Sequence, residues 1–384
     1  MDGMTRTDGV TDPDLAALAA RFAERAAWHD EAASTSRENL AALHQAGLLA
    51  LTVPAMHGGE GAGLAQVANT IGRLAEGDPS TALILSMQYL QHAAIARSDR
   101  WPETLRRTVS VAAVSDGALL NALRVEPELG TPARGGLPAT TARRDADGWR
   151  ITGRKIYSTG STVLRWGVVW ACTDEAAPRV GGFLVPLDAP GVSIERSWNQ
   201  LGMRATESHT VVFDDVSVPF DHAADIRLPS DWAGPDPVHA VWGNVVIASL
   251  YDGVARAARR WLLDFLRNRA PSNLGASLAT LPRFQELVGE IDTLLLANRH
   301  IIAGTIAADA GGTPVSAAEG GLVKHVVTEN AIRAVEKAIA ATGNPGLSRD
   351  NPLERHYRDV LCARVHTPQA DVALTLSGRA SLGL

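Results

Sequence analysis

The chain of 384 residues is 46% hydrophobic and 20% charged, a composition typical of a folded globular protein with two or three packed units. Its formal net charge of −6 is modest and its basic residues are scattered among acidic ones, so the sequence argues against a nucleic-acid partner. Two distant cysteines, Cys172 and Cys362, argue against a disulfide framework or a zinc site, and the lack of a signal-like or long apolar stretch predicts a cytoplasmic protein with no membrane partner.

Residues 1–115 are predicted to form an N-terminal α-helical domain. Apolar residues recur there at intervals of three and four positions, which is the period of an amphipathic helix. Thr35 and Glu38 have the spacing of a capping box, so one helix is expected to begin beside them and to end at Gly47. The other periodic segments span residues 14–33, 65–77 and 80–97.

Residues 116–230 are predicted to form a central β domain. Short runs of strand-forming residues alternate there with turn residues. Asp147-Gly148 stands between two alternating segments, which is the strongest local signal for a β-hairpin. Further strands are predicted in residues 165–173, 181–187 and 209–219.

Residues 231–384 are predicted to form a C-terminal four-helix bundle. Long stretches with helical periodicity return there and are joined by loops rich in Gly, Pro and Ser. Their Ala-rich faces are suited to close contacts between helices and between subunits. The predicted helices span residues 238–269, 281–310, 315–343 and 353–366.

Several motifs, taken in chain order, resemble the acyl-CoA dehydrogenase superfamily. RITGRKIYSTGS (residues 150–161) is similar to the strand that ends beside the flavin in that family, and LGMRATESHTVVFDDVSVP (201–219) is similar to its next β signature. GNPGLSRDNPLERHYRD (343–359) resembles the last helix pair, and ALRVEPELGTP (122–132) a flavin-contacting loop. The resemblance implies an α+β protein with the acyl-CoA dehydrogenase fold: an N-terminal helical domain, a small central β-barrel or sandwich, and a C-terminal four-helix bundle, assembled as a homotetramer.

The resemblance also implies a flavin cofactor at the end of the 150–161 motif. By position, Tyr157 takes the place of the family's stacking tryptophan, and Thr159 that of the hydroxyl at flavin N5, with Ser158 between them. An isoalloxazine ring needs an aromatic or apolar face and hydrogen bonds at its edge. These three residue types can supply both.

The 122–132 loop is the second flavin-binding segment that the resemblance implies. It places backbone groups of Leu123 and Val125 against the pyrimidine ring, and Gly130 and Thr131 beside a flavin or substrate phosphate. The family's Thr-Glu-Pro is Val-Glu-Pro here, and its Gly-Ser-Asp is Gly-Thr-Pro. The loop therefore departs from the family's pattern for the pyrophosphate of coenzyme A.

The identity of the flavin is left open between FAD and FMN. In the family, a neighbouring subunit holds the adenine half of FAD through an Arg, a Gln and a glycine-rich loop, which correspond to Arg269, Gln285 and the pair Gly343 and Asn344. The stretch RNRAPSNLGASLATLPRFQ is longer here than in the family, and the glycine-rich loop has become AATGNPG. FMN is therefore a possible cofactor as well as FAD. The alternative interpretation of Arg269 and Gln285 is that they are solvated residues at helix ends.

The catalytic carboxylate of the dehydrogenases is absent from both places that the resemblance assigns to it. Counting from Arg358-Asp359, the usual base falls on Thr367 and its tyrosine neighbour on His366. The alternative place, on the first bundle helix, is Gly243. Because neither residue can remove an α-proton as a carboxylate does, the sequence favours another reaction.

The resemblance is greatest to the flavin-dependent monooxygenases of the superfamily, including those acting on dibenzothiophene, which carry a histidine at the place of His366. It implies a two-component enzyme that takes reduced flavin from a separate reductase and forms a C4a-hydroperoxide with O2. Such a species needs exclusion of water and a hydrogen-bond donor, and a histidine with a pKa near neutrality can donate or shuttle its proton. His366 is the first catalytic candidate, with Thr367 beside it, and His92 is the second.

Three functions remain open from the sequence. The first is a two-component monooxygenase acting on a small molecule that contains sulfur or nitrogen. The second is an FAD-dependent acyl-CoA dehydrogenase that uses His366 or an unplaced carboxylate as its base. The third is a non-catalytic flavin-binding homologue that keeps only the fold. The substrate is not predicted, since apolar pocket residues resemble core residues in a sequence.

Overall fold

The structure is a computed structural model that describes residues 10–129, 136–232, 236–313 and 315–384. Its first part is helical, as predicted. These helices are α1 (Asp12–Ala32), α2 (Arg37–Gln45), α3 (Leu64–Ala75), α4 (Pro79–Arg97) and α5 (Glu103–Ser115). Most residues of α4 are buried, so this helix lies inside the molecule. Gly47 follows the end of α2 with a left-handed φ of 75°, as predicted for a glycine that ends a helix.

The start of α2 differs from the capping box predicted at Thr35 and Glu38, and that prediction was wrong by one residue. The N-cap is Ser36, whose hydroxyl accepts a hydrogen bond from the N–H of Asn39 at 3.2 Å. The N–H of Thr35 instead donates to the Glu207 carboxylate at 3.0 Å. A tertiary contact between α2 and the sheet region therefore uses the residue that local spacing assigned to the cap.

The described residues include eight strands of one sheet. They are β1 (Leu119–Leu123), β2 (Thr141–Arg144), β3 (Gly148–Lys155), β4 (Leu164–Thr173), β5 (Val180–Pro186), β6 (Val192–Glu195), β7 (Thr210–Pro219) and β8 (Ala223–Arg227). Neighbours in the sheet follow the order β6-β7-β3-β2-β4-β5-β8, and β1 pairs in parallel with β4. The hairpin predicted at Asp147-Gly148 is confirmed, since β2 and β3 are antiparallel and β3 begins at Gly148.

The C-terminal part of the chain is again helical. Its helices are α6 (Pro237–Asn268), α7 (Pro282–Ala310), α8 (Ala317–Thr342), α9 (Asn344–Leu347), α10 (Pro352–Leu361) and α11 (Ala370–Leu382). The predicted bundle helices correspond to α6, α7, α8 and α10. Helix α11 was not predicted, because Ala373 is its single buried residue and it has no apolar stripe. None of the helices in the described ranges has the length and apolar character that a bilayer crossing requires.

Polar contacts join α10 to distant parts of the chain. Arg358 binds both carboxylate oxygens of Asp30 in α1, at 3.0 and 2.6 Å. The N–H of Met203, in the loop before β7, donates to the Asp359 carboxylate at 2.6 Å. Burial raises the pKa of Asp359 to about 7. These contacts fix α10 against both the first helices and the sheet region.

Candidate active site

Tyr157 lies just past the end of β3 and presents its ring to solvent. Its φ is 56°, a left-handed conformation that a tyrosine rarely adopts, and 57% of the residue is exposed. The Trp198 ring contacts it edge-on, with 6.2 Å between the ring centroids. Strained backbone conformations persist only where the surrounding structure holds them, and they cluster at ligand sites. The geometry fits a flat ring system that stacks on Tyr157.

Thr159 and Ser158 share the turn after β3 but have different surroundings. The Thr159 hydroxyl oxygen accepts a hydrogen bond from Ser208 at 3.2 Å, which leaves its own proton available to a ligand. The Thr159 carbonyl accepts from the side-chain amide of Asn121 at 3.2 Å. Ser158 is buried, and its N–H donates to the carbonyl of His209. Thr159 is therefore suited to bind a ligand, whereas Ser158 holds the turn together.

The loop after β1 lies directly beside this turn. Leu123, at the end of β1, is buried, and the carbonyl of Val125 accepts a hydrogen bond from the N–H of Ile156 at 2.9 Å. The structure therefore brings Leu123 and Val125 next to the turn that carries the exposed tyrosine. Gly130 and Thr131, proposed for the same loop, lie outside the described residues.

A buried ion pair fastens this loop to β3. The Lys155 ammonium lies 2.5 Å from the Glu126 carboxylate, and both side chains are almost inaccessible to solvent. Glu126 also accepts hydrogen bonds from the N–H groups of Ala139 and Thr140 and from the Thr140 hydroxyl. Burial by itself raises the pKa of Glu126, but the hydrogen bonds and the ion pair outweigh it and lower that pKa below its ordinary value. Sequence analysis missed this pair, whose members are 29 positions apart.

His366 lies in the segment after α10 and faces α6. Its Nδ1 is 2.9 Å from the hydroxyl of Tyr251, a buried residue. A Tyr251 hydroxyl that donates to Nδ1 leaves the ring proton on Nε2, whereas one that accepts from Nδ1 leaves Nε2 without a proton. Burial, together with the Lys324 ammonium, lowers the pKa of His366 to about 4. The imidazole is therefore neutral at pH 7.

Lys324 in α8 holds the backbone on both sides of His366. Its ammonium donates to the carbonyls of Ala363, His366 and Pro368 at 3.0, 2.7 and 3.0 Å. Only 3% of the residue is exposed, and burial lowers its pKa to about 8. Three carbonyl dipoles thus surround this ammonium and keep the imidazole facing Tyr251. Sequence analysis missed both Lys324 and Tyr251, which occupy ordinary positions in long helices.

Two sides of the site are connected through Trp198 and Met203. Tyr157 contacts Trp198, whose indole N–H donates to the carbonyl of Met203 at 3.0 Å. The N–H of Met203 in turn donates to Asp359 in α10, and His366 follows that helix. The exposed ring of Tyr157 and the imidazole of His366 therefore belong to segments held together by direct contacts.

Neither position of the dehydrogenase base carries a carboxylate. Thr367 is exposed, and Gly243 in α6 is half-buried. A Cβ at Gly243 would meet no atom within 4 Å, so the space in front of α6 is open there. Asp359, which interacts electrostatically with Tyr251, is bonded to the backbone of Met203. The arrangement provides a neutral imidazole and hydroxyls in place of a general-base carboxylate.

His92 lies in α4 with both ring nitrogens unpaired. The residue is 1% exposed, and neither nitrogen has a hydrogen-bond partner among the described residues. The hydroxyl of Tyr89, three positions earlier on the same side of α4, is unpaired as well. Leaving a buried polar group unsatisfied costs about 1–3 kcal/mol. The pair therefore indicates a place where a ligand or a water molecule completes the hydrogen bonding.

We expect His92→Leu to remove part of the acid sensitivity of the fold. Burial lowers the pKa of His92 to about 3, below the ordinary value of 6.5, so the unfolded chain binds a proton at pH 5 that the folded chain does not. Wild-type stability therefore falls as the pH drops below 6.5, and the stability of the variant relative to wild type should rise by about 2 kcal/mol between pH 8 and pH 5. Urea unfolding at both pH values measures this difference.

The matched control is His300→Leu, which replaces an exposed histidine of α7. Its stability relative to wild type should change by less than about 0.5 kcal/mol over the same pH interval. Parallel pH dependence for His92→Leu and wild type would show that His92 is not held neutral in the folded state.

The residues proposed for the adenine half of FAD lie far from His366. They are Arg269, Gln285, Gly343 and Asn344. The first two are exposed and flank the loop between α6 and α7, and the last two follow the end of α8. At about 1.5 Å per residue, the end of α8 is roughly 28 Å from Lys324 along the helix. The structure therefore does not bring these four residues together with the imidazole or the segment that carries it.

Comparison with known proteins gives matches along the whole chain. Models of the N-terminal, middle and C-terminal domains of acyl-CoA dehydrogenases match residues 15–98, 124–216 and 245–369. The "Putative acyl-CoA dehydrogenase YdbM" of Bacillus subtilis (strain 168) is 33% identical over 93% of this chain and 92% of its own length.

Two solved structures share the fold and a quarter or more of the sequence. KijD3 in complex with FMN and dTDP-3-amino-2,3,6-trideoxy-4-keto-3-methyl-D-glucose is 28% identical, with a TM-score of 0.83 over 97% of this chain and 92% of that chain. A nitrososynthase from Micromonospora carbonacea var. africana is 26% identical, with a TM-score of 0.84 over 98% of this chain and 99% of that chain.

These matches agree with the order of helical, sheet and bundle parts and with the motifs recognised in the sequence. The expected fold and the dependence on flavin are confirmed. The chain's own residues fit the cofactor, since Tyr157 offers an open aromatic face and Thr159 a free hydroxyl proton beside it. The chain therefore belongs to the acyl-CoA dehydrogenase family of flavin-dependent oxidoreductases.

Proposed function

We propose that this family member is a two-component monooxygenase, which receives reduced flavin from a separate reductase and transfers one oxygen atom of O2 to a small substrate. The observation that carries the proposal is the neutral His366 imidazole, bonded to buried Tyr251, next to a base position occupied by Thr367. A dehydrogenase needs a carboxylate to remove an α-proton. An oxygenase needs a hydrogen-bond donor in a site that excludes water.

The flavin would be held by the turn after β3 and the loop after β1. When bound, it supplies the electrons and the position at which O2 is activated. Tyr157 stacks on the ring, Thr159 donates its hydroxyl proton, and Leu123 and Val125 offer backbone groups. FMN is favoured over FAD because the glycine-rich loop for the adenine half has become AATGNPG and the stretch RNRAPSNLGASLATLPRFQ is longer than in the family.

Two histidines are proposed to handle protons in this site. His366, with its proton on Nε2, donates to an oxygen atom bound in front of α6, while Tyr251 holds the other ring nitrogen. His92 is the second donor, because both of its nitrogens are unpaired among the described residues. Thr367, adjacent to His366, contributes a hydroxyl at the edge of the same segment.

The substrate is proposed to be a small molecule with an oxidisable nitrogen or sulfur atom. KijD3 was crystallised with FMN and an amino sugar nucleotide, and the Micromonospora protein is named a nitrososynthase. Those are properties of the two related proteins. They support an oxidation at nitrogen for this chain, which shares about a quarter of its sequence with each.

A dehydrogenase is the second candidate function. It is favoured by the name of the Bacillus relative, which is 33% identical to this chain. In that case His366 would act as the base, although a neutral imidazole with a pKa of about 4 is a weak one. Anaerobic addition of acyl-CoA thioesters to the flavin-loaded protein would bleach the flavin absorbance of a dehydrogenase. We expect no bleaching.

The deciding experiment mixes the protein with chemically reduced FMN or FAD and then admits O2. A monooxygenase delays reoxidation of the flavin, so a transient absorbance should persist well beyond the reoxidation time of free flavin. Reoxidation at the rate of free flavin, without a transient, would contradict the proposal. A non-catalytic homologue would show neither this transient nor bleaching by acyl-CoA.

We expect Tyr157→Ala to weaken flavin binding by about tenfold, because an aromatic stacking contact contributes roughly 0.5–1.5 kcal/mol beyond the buried area. Fluorescence titration with FMN and FAD measures the dissociation constants. Trp28→Ala is the matched control, since Trp28 is an aromatic residue of α1 that is also largely exposed, at 64%. Equal affinities of Tyr157→Ala and the control for both flavins would remove Tyr157 from the site.

We also propose that the protein is a homotetramer. Helix α11 exposes large apolar residues, among them Leu374 and Leu376. Exposed apolar faces of this kind are typical of subunit contacts. Light scattering after size-exclusion chromatography measures the mass, and a monomer at micromolar concentration would contradict this assembly.

A further inference from the structure

We propose that His209 is a positioning residue, which fixes the rings of Tyr157 and Trp198 against each other for flavin binding and does so only while its Nδ1 carries no proton. These two rings are called the aromatic platform. The inference rests on the proposed function in one respect, since it takes the exposed ring of Tyr157 as the surface on which the flavin stacks.

His209 accepts two backbone hydrogen bonds from the segment that carries Trp198. Residues 196–200 belong to no helix or strand. The N–H groups of Ser197 and Trp198 both donate to Nδ1 of His209, at 3.1 and 3.0 Å. A backbone N–H group can only donate, so Nδ1 is the acceptor and the proton of the neutral ring is on Nε2. The surroundings of His209 therefore require one tautomer of its imidazole.

The backbone of His209 holds the other half of the aromatic platform. Its carbonyl accepts the N–H of Ser158, the residue after Tyr157, at 3.2 Å. His209 directly precedes β7 and is only 5% exposed. One buried residue is thus bonded through its carbonyl to the turn that exposes Tyr157 and through its ring to the backbone of Trp198. The relative position of the two rings therefore depends on His209.

Glu207 faces the opposite side of the imidazole. Its Oε1 is 3.7 Å from Nε2 of His209, a nitrogen that has no hydrogen-bond partner among the described residues. Its Oε2 accepts the N–H of Thr35 at 3.0 Å and the hydroxyl of Thr162 at 2.7 Å. Glu207 has a left-handed φ of 41°, which such a residue keeps only where its surroundings hold it. The carboxylate favours the ring orientation that directs the Nε2 proton towards it and Nδ1 towards Trp198.

The charges around His209 keep its imidazole neutral near pH 7.5. Burial lowers the pKa of His209 below its ordinary value of 6.5; the Glu207 carboxylate opposes this effect in part, and the positive charge of Arg196 adds to it. Glu195, next to Arg196, forms an ion pair with Arg154 of β3. At neutral pH Nδ1 is therefore free of a proton and able to accept.

Protonation of His209 would disrupt the aromatic platform. A proton on Nδ1 ends its role as an acceptor and leaves the N–H groups of Ser197 and Trp198 without that partner. The segment would have to move, and Trp198 would lose its contact with Tyr157. The form that binds flavin is then the form with the lower proton affinity. Flavin affinity should therefore be complete above pH 6.5 and fall as the pH drops through the lowered pKa of His209.

The test compares two variants of His209 in titrations with oxidised FMN between pH 8 and pH 4.5, with circular dichroism confirming the fold at each pH. His209→Asn places an amide oxygen close to the place of Nδ1 and cannot be protonated, whereas His209→Ala removes the acceptor. We expect His209→Ala to bind FMN about tenfold more weakly than His209→Asn at every pH. The phosphate of FMN itself titrates near pH 6, so affinities are compared at equal pH.

The wild type should change from one behaviour to the other. Above pH 6.5 its affinity for FMN should lie within about threefold of that of His209→Asn, and near pH 4.5 it should be about tenfold weaker, like that of His209→Ala. A residue that only stabilises the fold would change the unfolding transition but would leave this ratio constant. The comparison of the wild type with His209→Asn remains decisive if His209→Ala does not fold.

His222→Asn is the matched control. His222 is a half-buried histidine that precedes β8, and its Nδ1 lies 2.7 Å from the carbonyl of Leu184 in β5. This variant should keep the pH profile of the wild type.

Three results would overturn the inference: equal FMN affinities of His209→Ala and His209→Asn, a wild type that follows His209→Asn down to pH 4.5, or a loss of the pH dependence in His222→Asn. Failure of the proposed function is read separately. It is measured at pH 8, where His209 is neutral, from the reaction of the reduced flavoprotein with O2.

Discussion

His366→Ala is expected to make the reduced flavoprotein release hydrogen peroxide roughly 100-fold faster after O2 is admitted, because a positioned proton donor contributes about 10²–10⁴-fold to such steps. The affinity for flavin should stay within twofold of wild type, since His366 lies on the bundle side of the site, away from the turn after β3. A peroxide assay under stopped flow, combined with flavin titration, measures both quantities.

Two variants separate a chemical role of His366 from a structural one. Tyr251→Phe removes the hydrogen bond to Nδ1 but keeps the imidazole, so peroxide release should rise only about tenfold. His325→Ala, which alters the neighbour of Lys324 in α8, should behave as wild type. An unchanged release rate in His366→Ala would exclude the residue from the mechanism.

The pH dependence of the same reaction provides an independent check on His366. Since burial and Lys324 lower its pKa to about 4, the imidazole is neutral above pH 5 and becomes protonated only as the pH approaches 4. Peroxide release by the wild type should therefore be constant between pH 6 and pH 8 and should change below pH 5. A transition near pH 6.5 would indicate an unshifted histidine instead.

Lys155→Met is expected to lower the free energy of unfolding by about 3–5 kcal/mol, because it leaves the Glu126 carboxylate buried without its cation. The loop after β1 should detach from β3, so flavin binding should weaken as well. Urea unfolding followed by circular dichroism measures the first effect, and FMN titration measures the second.

The neighbouring residue offers a matched control for Lys155. Arg154, also in β3, forms an ion pair with Glu195 of β6 on the surface, where the two side chains are about half exposed, at 45% and 55%. Arg154→Met should cost less than about 1 kcal/mol. Adding Glu126→Gln to Lys155→Met should restore part of the stability, because the buried negative charge is then absent. Equal losses for Lys155→Met and Arg154→Met would refute the importance of burial.

Local patterns were enough to predict most of the helices and the hairpin. The period of apolar residues and the Asp147-Gly148 turn depend on neighbours in the sequence, and the structure agrees with them. The cap of α2 was misplaced because Thr35 is bonded to Glu207, 172 positions away. Helix α11 was missed because its apolar residues do not face the core of this chain.

The candidate site shows the same division between local and long-range information. The turn that exposes Tyr157 is a short motif, so resemblance to a family located it. The partner of His366 is Tyr251, 115 positions earlier, and the ammonium that holds its backbone comes from Lys324. Periodicity does not distinguish these two residues from their neighbours. In a long helix, a tyrosine is usually assigned to the core and a lysine to the surface.

The contacts of α10 bear on how the protein is made. Arg358 and Asp359 leave the ribosome long after their partners Asp30 and Met203. The Asp30 carboxylate and the Met203 amide of the nascent chain therefore stay without these partners until α10 has been synthesised. Chains that end before α10 would lack these contacts and would stay incompletely folded. Chaperones and proteases would therefore act on them.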